Sequence, residues 1–163
     1  MLKELVVMRH AHAVHPSGWQ ADAQRPLSPT GREDAFAAGI WLRDTCDQPD
    51  AVMCSTALRT RETLVQLARA GCLMPTPEFE PRIYEASLGD LLEVIEERIQ
   101  AQPALERLWL IGHNPGLEQV LFHLDAAARL YALPPAGLAR LQIDRDARPT
   151  DPGAATIATT WMP

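Results

Sequence analysis

An arginine and a histidine stand side by side at the end of the first apolar run of the chain. The run LVV at residues 5–7 is short and β-branched, as expected of a strand buried on both faces of a parallel sheet, and Arg9 and His10 follow it closely. Ligands of open α/β sheets bind at the carboxyl ends of the strands. An arginine there can bind phosphate through two charge-assisted hydrogen bonds, and a neutral imidazole can attack phosphorus. The alternative is a salt-bridging arginine beside a structural histidine.

A serine and a second arginine follow the next predicted strand. Residues 50–54 (DAVMC) are predicted to form this strand, and Ser55 then occupies the position of a helix N-cap. A helix is predicted from about residue 56 to 70, with Ser55, Arg59 and Thr63 spaced by four along one face. Arg61 points about 200° away around the helix. We therefore expect Arg59 to face the site and Arg61 to face solvent.

A second histidine follows the third predicted strand, LWLI at residues 108–111. Gly112 allows a tight turn, Asn114 is a good N-cap, and Pro115 suits the first position of a helix. His113 is then expected between the carboxyl end of a strand and the amino end of a helix, where unpaired N–H groups and the helix dipole favour an anion. His123 falls within the following helix and is interpreted as structural.

Two other groups of residues have alternative interpretations. His10, His12 and His15 form an H-x-H-x-x-H pattern that is compatible with a transition metal, but only Asp22 follows as a carboxylate, at a distance, and we predict no metal site. Glu85 lies in a predicted loop just before a helix, where it is either a functional carboxylate or a solvated one.

The remaining pattern predicts the elements that carry these residues. A helix starts with either Ser28 or Thr30 as its N-cap, and Phe36, Ile40 and Trp41 are expected to form its core-facing side. Arg25, before it, could stabilise the rim of the pocket, but we interpret it as a surface arginine. A short strand is predicted near residues 78–79, and alternating segments at 138–143 and 154–161 predict a C-terminal antiparallel hairpin. We expect one α/β domain over residues 1–163, with a mostly parallel central sheet and helices on both faces.

Composition excludes several classes of protein. The net charge of −6, with Lys3 as the only lysine, argues against a nucleic-acid-binding protein. No stretch is apolar enough to span a membrane, and no secretory apolar region follows Lys3, so we expect a cytoplasmic protein without a membrane partner. The 3 cysteines, at irregular spacing, predict neither a disulfide framework nor a zinc site.

Two arginines and two histidines are thus expected together at strand carboxyl ends. Phosphoryl transfer needs such a set, since its chemistry is mostly positioning and neutralisation of charge on the phosphoryl oxygens. A monoester carries a charge of about −1.5 to −2, which an arginine pair can balance, so no metal or other cofactor is expected. A non-catalytic module that only binds a phosphorylated partner would use the same arginines.

Four segments, in this order and spacing, resemble the histidine phosphatase superfamily, and in particular its short SixA-like phosphohistidine phosphatase branch. They are MRHAHA at residues 8–13, RPLS at 25–28 with Gly31, STALRTRET at 55–63, and GHNP at 112–115. The resemblance implies a phosphoglycerate mutase-like fold. It also implies that His10 is the nucleophile, which forms a covalent phosphohistidine, and that Arg9, Arg59 and His113 complete the phosphate pocket, beside which we place Ser55 as a further substrate-binding residue.

Two positions depart from the superfamily pattern. Ala11 stands where many members have glycine, and it resembles the short branch. Larger members have a carboxylic acid that protonates an alcohol leaving group, and Glu85 is the candidate for it here. Without that acid, leaving groups such as imidazole, with a pKa of about 6.5, are favoured. We therefore expect the enzyme to act on phosphohistidine in a protein, and the alternative is a small-molecule phosphomonoesterase or a mutase.

We also expect the far ring nitrogen of His10 to be held by a hydrogen bond that fixes its tautomer.

Overall fold

The computed structural model describes residues 1–163, apart from the side chains of residues 129 and 130. The strands are β1 (Glu4–Arg9), β2 (Ala51–Cys54), β3 (Glu78–Phe79), β4 (Arg107–Gly112), β5 (Leu138–Ile143) and β6 (Ala155–Trp161). The α-helices are α1 (Pro29–Thr45), α2 (Leu58–Arg69), α3 (Leu88–Ala101) and α4 (Gly116–Leu124). Short 3-10 helices lie at Asp22–Gln24, Pro81–Ile83 and Ala126–Leu130.

The strands form one mixed sheet in the order β3-β2-β4-β1-β5-β6. β3, β2, β4 and β1 are parallel, whereas β5 runs antiparallel to β1 and pairs with β6 as the C-terminal hairpin. Arg9 is paired with Gly112, and Cys54 is paired with Ile111. The three central parallel strands therefore end at the same edge, so that the residues following them are neighbours. The predicted fold class is confirmed.

Helices cover both faces of the sheet because alternate strand residues point to opposite sides. In β1, Leu5 and Val7 belong to the core layer that includes the apolar residues of α3 and α4, whereas Val6 and Met8 belong to the layer that includes those of α1 and α2. β1 is therefore buried on both faces, as its continuous apolar run predicts.

The core-facing side of α1 differs from the prediction. Phe36 and Ile40 are 38% and 37% exposed, whereas Trp41 is partly buried and packs against the core as predicted. The buried residues of α1 are instead small, apart from one leucine: Gly31, Ala35, Ala38, Gly39 and Leu42. The reason is the close packing of α1 on α2, since a Cβ at Gly39 would lie 2.7 Å from the Cβ of Ala70. A larger side chain therefore does not fit at Gly39, where α1 approaches α2 closely.

The start of α1 fastens the segment that follows His10. Ser28 is the N-cap, with its hydroxyl accepting a hydrogen bond from the Gly31 amide at 3.0 Å, and Pro29 takes the first helical position. The Ser28 amide in turn donates to the carbonyl oxygen of His12 at 2.9 Å. A Cβ at Gly31 would lie 2.0 Å from that same oxygen, so this close approach requires glycine. The helix start and the loop after the nucleophile candidate are thus one packed unit.

None of the described helices is long and apolar enough to cross a membrane.

Candidate active site

His10 lies directly after β1 and is 9% exposed. Its Nδ1 is 2.7 Å from the carbonyl oxygen of Ala11, and because a carbonyl can only accept, Nδ1 carries the proton. The expected hydrogen bond to the far ring nitrogen is therefore present, and it leaves the lone pair on Nε2. Burial, together with the positive charges of Arg59, Arg9 and Arg25, lowers the pKa of His10 from 6.5 to about 4, against the opposing effect of the Ala11 hydrogen bond. The imidazole is neutral at pH 7.

Arg59 connects the two histidines of the site. It projects from the first turn of α2 and is 5% exposed. Its Nε donates to Nε2 of His10 at 3.2 Å, and its Nη2 lies 3.3 Å from Nδ1 of His113. Arg61, two residues along the helix, is exposed and has its guanidinium carbon 4.5 Å from the centre of the Phe79 ring. As the helical geometry predicts, Arg59 and not Arg61 faces the site.

His113 completes the group from the end of β4. Its ring centre is 5.1 Å from that of His10. Since Arg59 can only donate, Nδ1 of His113 is the acceptor, and its Nε2 donates to the hydroxyl oxygen of Ser55 at 2.7 Å. Burial, His10 and the charge of Arg59 lower the pKa of His113 to about 3. Both histidines are thus neutral, and each has a fixed tautomer.

The predicted helix caps Ser55 and Asn114 are wrong. Their side chains instead form hydrogen bonds with residues at or near the site. α2 begins at Leu58, with Ala57 as its N-cap, so Ser55 lies before the helix and its hydroxyl accepts from His113. α4 begins at Gly116, and the side-chain amide of Asn114 donates to the carbonyl oxygen of Leu133 at 2.9 Å rather than capping the helix.

Arg9 approaches the site from the end of β1. Its Nη1 donates at 3.1 Å to the carbonyl oxygen of Leu133, and the amide of Leu133 donates to Glu118 at 2.8 Å, which fixes this anchoring segment. Nε of Arg9 is buried and has no hydrogen-bond partner among the side chains and backbone that the structure describes. Burial lowers the pKa of Arg9. A guanidinium with a buried, unused donor is suited to bind an oxyanion.

Three residues lie at the mouth of the site: Asp22 and Tyr84, whose contacts were not predicted, and Arg25, for which the rim was the alternative interpretation. The carboxylate of Asp22 accepts hydrogen bonds from Arg59 at 3.1 Å, from the hydroxyl of Tyr84 at 2.7 Å and from Arg25 at 2.8 Å. Arg25 is therefore not a free surface arginine; it also donates to the carbonyl oxygen of Val14 at 3.0 Å. The sequence signal was the i,i+3 spacing of an acidic and a basic residue in the loop between β1 and α1.

Thr63 holds the nucleophile loop from α2. Its hydroxyl accepts from the Ala11 amide at 3.1 Å and donates to the carbonyl oxygen of Arg59 at 2.7 Å. The spacing of four between Arg59 and Thr63 indicated that they share a face, and the structure adds that this face supports Ala11. The loop after β1 is therefore fixed by side-chain contacts on both sides, from α1 and from α2.

Glu85 is not brought into this group. Its side chain is exposed, and its backbone has a positive φ of 53°. Within the part of the chain whose side chains are described, Glu85 makes none of the hydrogen bonds or ion pairs that join Arg9, Arg59 and His113 to their neighbours. The residue before it, Tyr84, is the one that reaches the site, with its ring centre 5.5 Å from that of His113.

The H-x-H-x-x-H histidines diverge. His10 faces Arg59, whereas Nδ1 of His12 lies 2.8 Å from the hydroxyl of Ser28, and the His12 and His15 ring centres are 6.4 Å apart. Among the described residues, no three side chains of histidine, cysteine, aspartate or glutamate are grouped to hold a metal ion.

The neutral histidines indicate a specific pH dependence of stability. Between pH 6.5 and about 4 the unfolded chain binds protons on these two residues while the folded chain does not, so the free energy of unfolding falls as the pH falls. Each histidine contributes a slope approaching about 1.4 kcal/mol per pH unit. We expect His10→Asn to reduce the slope between pH 6.5 and 5, measured by urea unfolding. An unchanged slope would mean that His10 titrates normally in the folded protein.

Comparison with known proteins identifies the family. A sequence model of the histidine phosphatase superfamily (branch 1) matches residues 5–132. The uncharacterized protein Rv1276c of Mycobacterium tuberculosis is 34% identical over 165 residues, covering 96% of this chain and 99% of that protein. The identity and the coverage show that this relative is similar to the chain along nearly its whole length.

Two solved structures share the fold. The protein histidine phosphatase SixA complexed with tungstate has a TM-score of 0.81 at 18% identity, covering 96% of this chain and 95% of that one. The mycobacterial glucosyl-3-phosphoglycerate phosphatase Rv2419c has a TM-score of 0.68 at 17% identity, covering 96% and 97%. With the family match over residues 5–132, they confirm the resemblance: the chain belongs to the histidine phosphatase superfamily, branch 1, and is a phosphatase with a SixA-like fold.

Proposed function

We propose that this phosphatase removes phosphoryl groups from phosphohistidine in proteins, through a covalent phosphohistidine on His10. The observation that carries the proposal is the pair of hydrogen bonds on that imidazole. Nδ1 is held by the Ala11 carbonyl at 2.7 Å, and Nε2 lies 3.2 Å from Nε of Arg59. A neutral imidazole is thereby oriented with its lone pair toward a guanidinium that can bind the phosphoryl oxygens.

The first step follows from this orientation. Phosphoryl oxygens that bind Arg59 and Arg9 release Nε2 of His10 from its contact with Arg59, and Nε2 then attacks phosphorus. The bond from phosphorus to the leaving nitrogen breaks, and its electron pair stays with the leaving imidazole. His10 becomes a phosphorylated cation, and its Nδ1–H remains bonded to the Ala11 carbonyl, which stabilises the positive charge.

In the second step, water hydrolyses the phosphohistidine formed on His10. A water molecule attacks phosphorus opposite Nε2, the bond from phosphorus to Nε2 breaks, and His10 returns to the neutral form. The proton lost by the water goes to the phosphate or to solvent. Arg9 and Arg59 stabilise the oxygens in both steps, since both transition states place charge on the same oxygens.

The two guanidinium groups also suit a reaction without a metal ion. Arg9 and Arg59 are close enough for the charge of each to act on the other, and His10 and His113 add no charge because both are neutral. A phosphoryl group with a charge of about −1.5 to −2 can be stabilised by these two guanidinium groups. Their presence supports the expectation that no cofactor is needed.

The carboxyl groups near the site favour a weakly basic leaving group. Asp22, with a pKa of about 2, is ionised and cannot donate a proton, and Glu85 lies outside the group of contacts. An alkoxide leaving group would thus depart without a general acid. A general acid typically accelerates such a step by about 10²–10⁴-fold, and this acceleration would be lost. A phosphohistidine ring that already carries a proton on its other nitrogen leaves as neutral imidazole. The alternative, a small-molecule phosphomonoesterase, is favoured by the shared fold of glucosyl-3-phosphoglycerate phosphatase.

The two candidates are separated by one peptide synthesised with either phosphohistidine or phosphoserine at the same position. We expect kcat/KM to be higher for phosphohistidine by about 10²-fold or more, because only the serine product needs a proton donor. Excess EDTA should leave both rates unchanged. Equal or faster hydrolysis of phosphoserine would contradict the proposal and favour the phosphomonoesterase, and loss of activity in EDTA would contradict the metal-free mechanism.

A further inference from the structure

The carboxylate of Asp22 lies against the phosphate-binding arginine, and the two-step reaction above gives it no role. Its Oδ2 accepts from Nη2 of Arg59 at 3.1 Å and from the hydroxyl of Tyr84 at 2.7 Å, while its Oδ1 accepts from Nε of Arg25 at 2.8 Å. The backbone carbonyl of Asp22 accepts from Nη1 of Arg59 at 2.9 Å. Asp22 thus accepts hydrogen bonds from both terminal nitrogens of the guanidinium that is expected to bind phosphate.

Asp22 does not depend on Arg59 to stay at the mouth of the site. Arg25, which is bonded to Oδ1, is itself fixed to the Val14 carbonyl at 3.0 Å, and the ring of Tyr84 packs edge-on against His113. When a phosphoryl group binds the guanidinium of Arg59 in place of the Asp22 carboxylate, the contacts of Asp22 with Arg25 and Tyr84 can remain. The carboxylate then stays at the mouth of the site. Because His10 is buried and Asp22 is partly exposed, an in-line attack by Nε2 sends the leaving group outward, toward this mouth.

This carboxylate is negatively charged, and its side chain is 46% exposed. The hydrogen bond from Tyr84, with the bonds and charges of Arg25 and Arg59, lowers its pKa to about 2. A carboxylate offers about four acceptor sites, so one that already holds Tyr84 and Arg25 still has room for a further donor.

We propose that Asp22 is a specificity-determining residue, which selects phosphoryl donors whose leaving group carries an N–H, such as a protonated phosphohistidine ring, over phosphate esters. The inference rests on the proposed function and names the residue responsible for its substrate preference. An ionised carboxylate accepts the ring N–H and keeps the proton on the leaving imidazole, so that it departs neutral. An ester oxygen brings no N–H and develops negative charge, which the same carboxylate repels.

The test uses Asp22→Asn with two substrates, a phosphohistidine peptide and p-nitrophenyl phosphate, whose leaving group has no N–H. We expect kcat/KM for the peptide to fall by about 10-fold or more, since a charge-assisted hydrogen bond is lost. For p-nitrophenyl phosphate we expect kcat/KM to stay unchanged or to rise. Glu33→Gln, which removes an exposed carboxylate at the start of α1, is the matched control and should change neither value.

Tungstate binding by Asp22→Asn measures whether the arginine site remains intact. Removal of a competing carboxylate should leave the affinity for this oxyanion equal or higher. A parallel loss of both activities, or no change in either, would overturn the inference while leaving the proposed function in place. Failure of the wild-type enzyme to hydrolyse the phosphohistidine peptide would instead overturn the proposed function, and this inference with it.

Discussion

Replacing His10 with alanine is expected to lower kcat/KM for every phosphorylated substrate by about 10⁴-fold or more, because the variant lacks the imidazole that takes the phosphoryl group. In the wild-type enzyme this imidazole presents the lone pair of Nε2 to the phosphate-binding arginine, 3.2 Å from Nε of Arg59. Acid quenching during turnover of a labelled substrate measures the same chemistry directly. The wild-type enzyme should retain label in an acid-labile adduct, and His10→Ala should retain none.

Two controls separate loss of the nucleophile from loss of the fold. His12→Ala removes an exposed histidine two residues away, whose contact is with Ser28, and it should keep the covalent adduct. Thermal unfolding of His10→Ala at pH 7 should show a folded protein. Turnover that survives in a folded His10→Ala variant would contradict covalent catalysis by His10, and wild-type protein that binds the substrate without any adduct would indicate a phosphate-binding module.

The sequence was sufficient to predict the set of side chains around His10 because parallel strands end at one edge of a sheet. Each of three apolar runs was followed by a candidate residue, and the pairing of Arg9 with Gly112 and of Cys54 with Ile111 brings those residues together. Helical spacing then distinguished Arg59 from Arg61. Periodicity and strand order are local or topological properties, and both can be inferred without knowing any tertiary contact.

The wrong predictions concern residues whose side chains had more than one possible partner. Ser55 and Asn114 are good N-cap residues, but a hydroxyl or an amide can also bond to a tertiary partner, and here the partners are His113 and the Leu133 carbonyl. The core face of α1 was misjudged because hydrophobicity alone favoured Phe36. The side of α1 that is buried depends on how closely α2 packs against α1, and no spacing pattern within α1 reveals that distance.

The contacts of Asp22 and Tyr84 at the mouth of the site were missed for a different reason. Asp22 and Tyr84 are 62 residues apart in the chain and meet through one hydrogen bond of 2.7 Å. Loops beside a strand edge follow no periodicity, so periodicity alone does not assign their side chains to a site. The candidate acid Glu85 was selected by its residue type and loop position, whereas its neighbour Tyr84 is the residue that makes the contact.

Replacing Arg59 with alanine is expected to lower kcat/KM by about 10³-fold, which is near the effect of removing one preorganised donor to a developing oxyanion. The side chain is 5% exposed, and its N–H groups contact His10, His113 and Asp22 at 2.9–3.3 Å. Alanine therefore removes both the phosphoryl contacts and the fixed position of the nucleophile. Tungstate affinity, measured by calorimetry, should fall together with activity.

Arg61→Ala is the matched control, since it removes the same type of side chain from the same helix, two residues away, on the solvent side against Phe79. It should leave kcat/KM and tungstate affinity within about 2-fold of the wild-type values, as surface substitutions usually have small effects. Arg59→Lys separates charge from geometry. A lysine keeps one positive charge but has no planar pair of donors for two phosphoryl oxygens, so we expect it to recover only part of the activity lost in Arg59→Ala. Full activity in Arg59→Lys would show that charge alone is sufficient, and similar losses in Arg59→Ala and Arg61→Ala would contradict the assignment of Arg59 to the phosphate site.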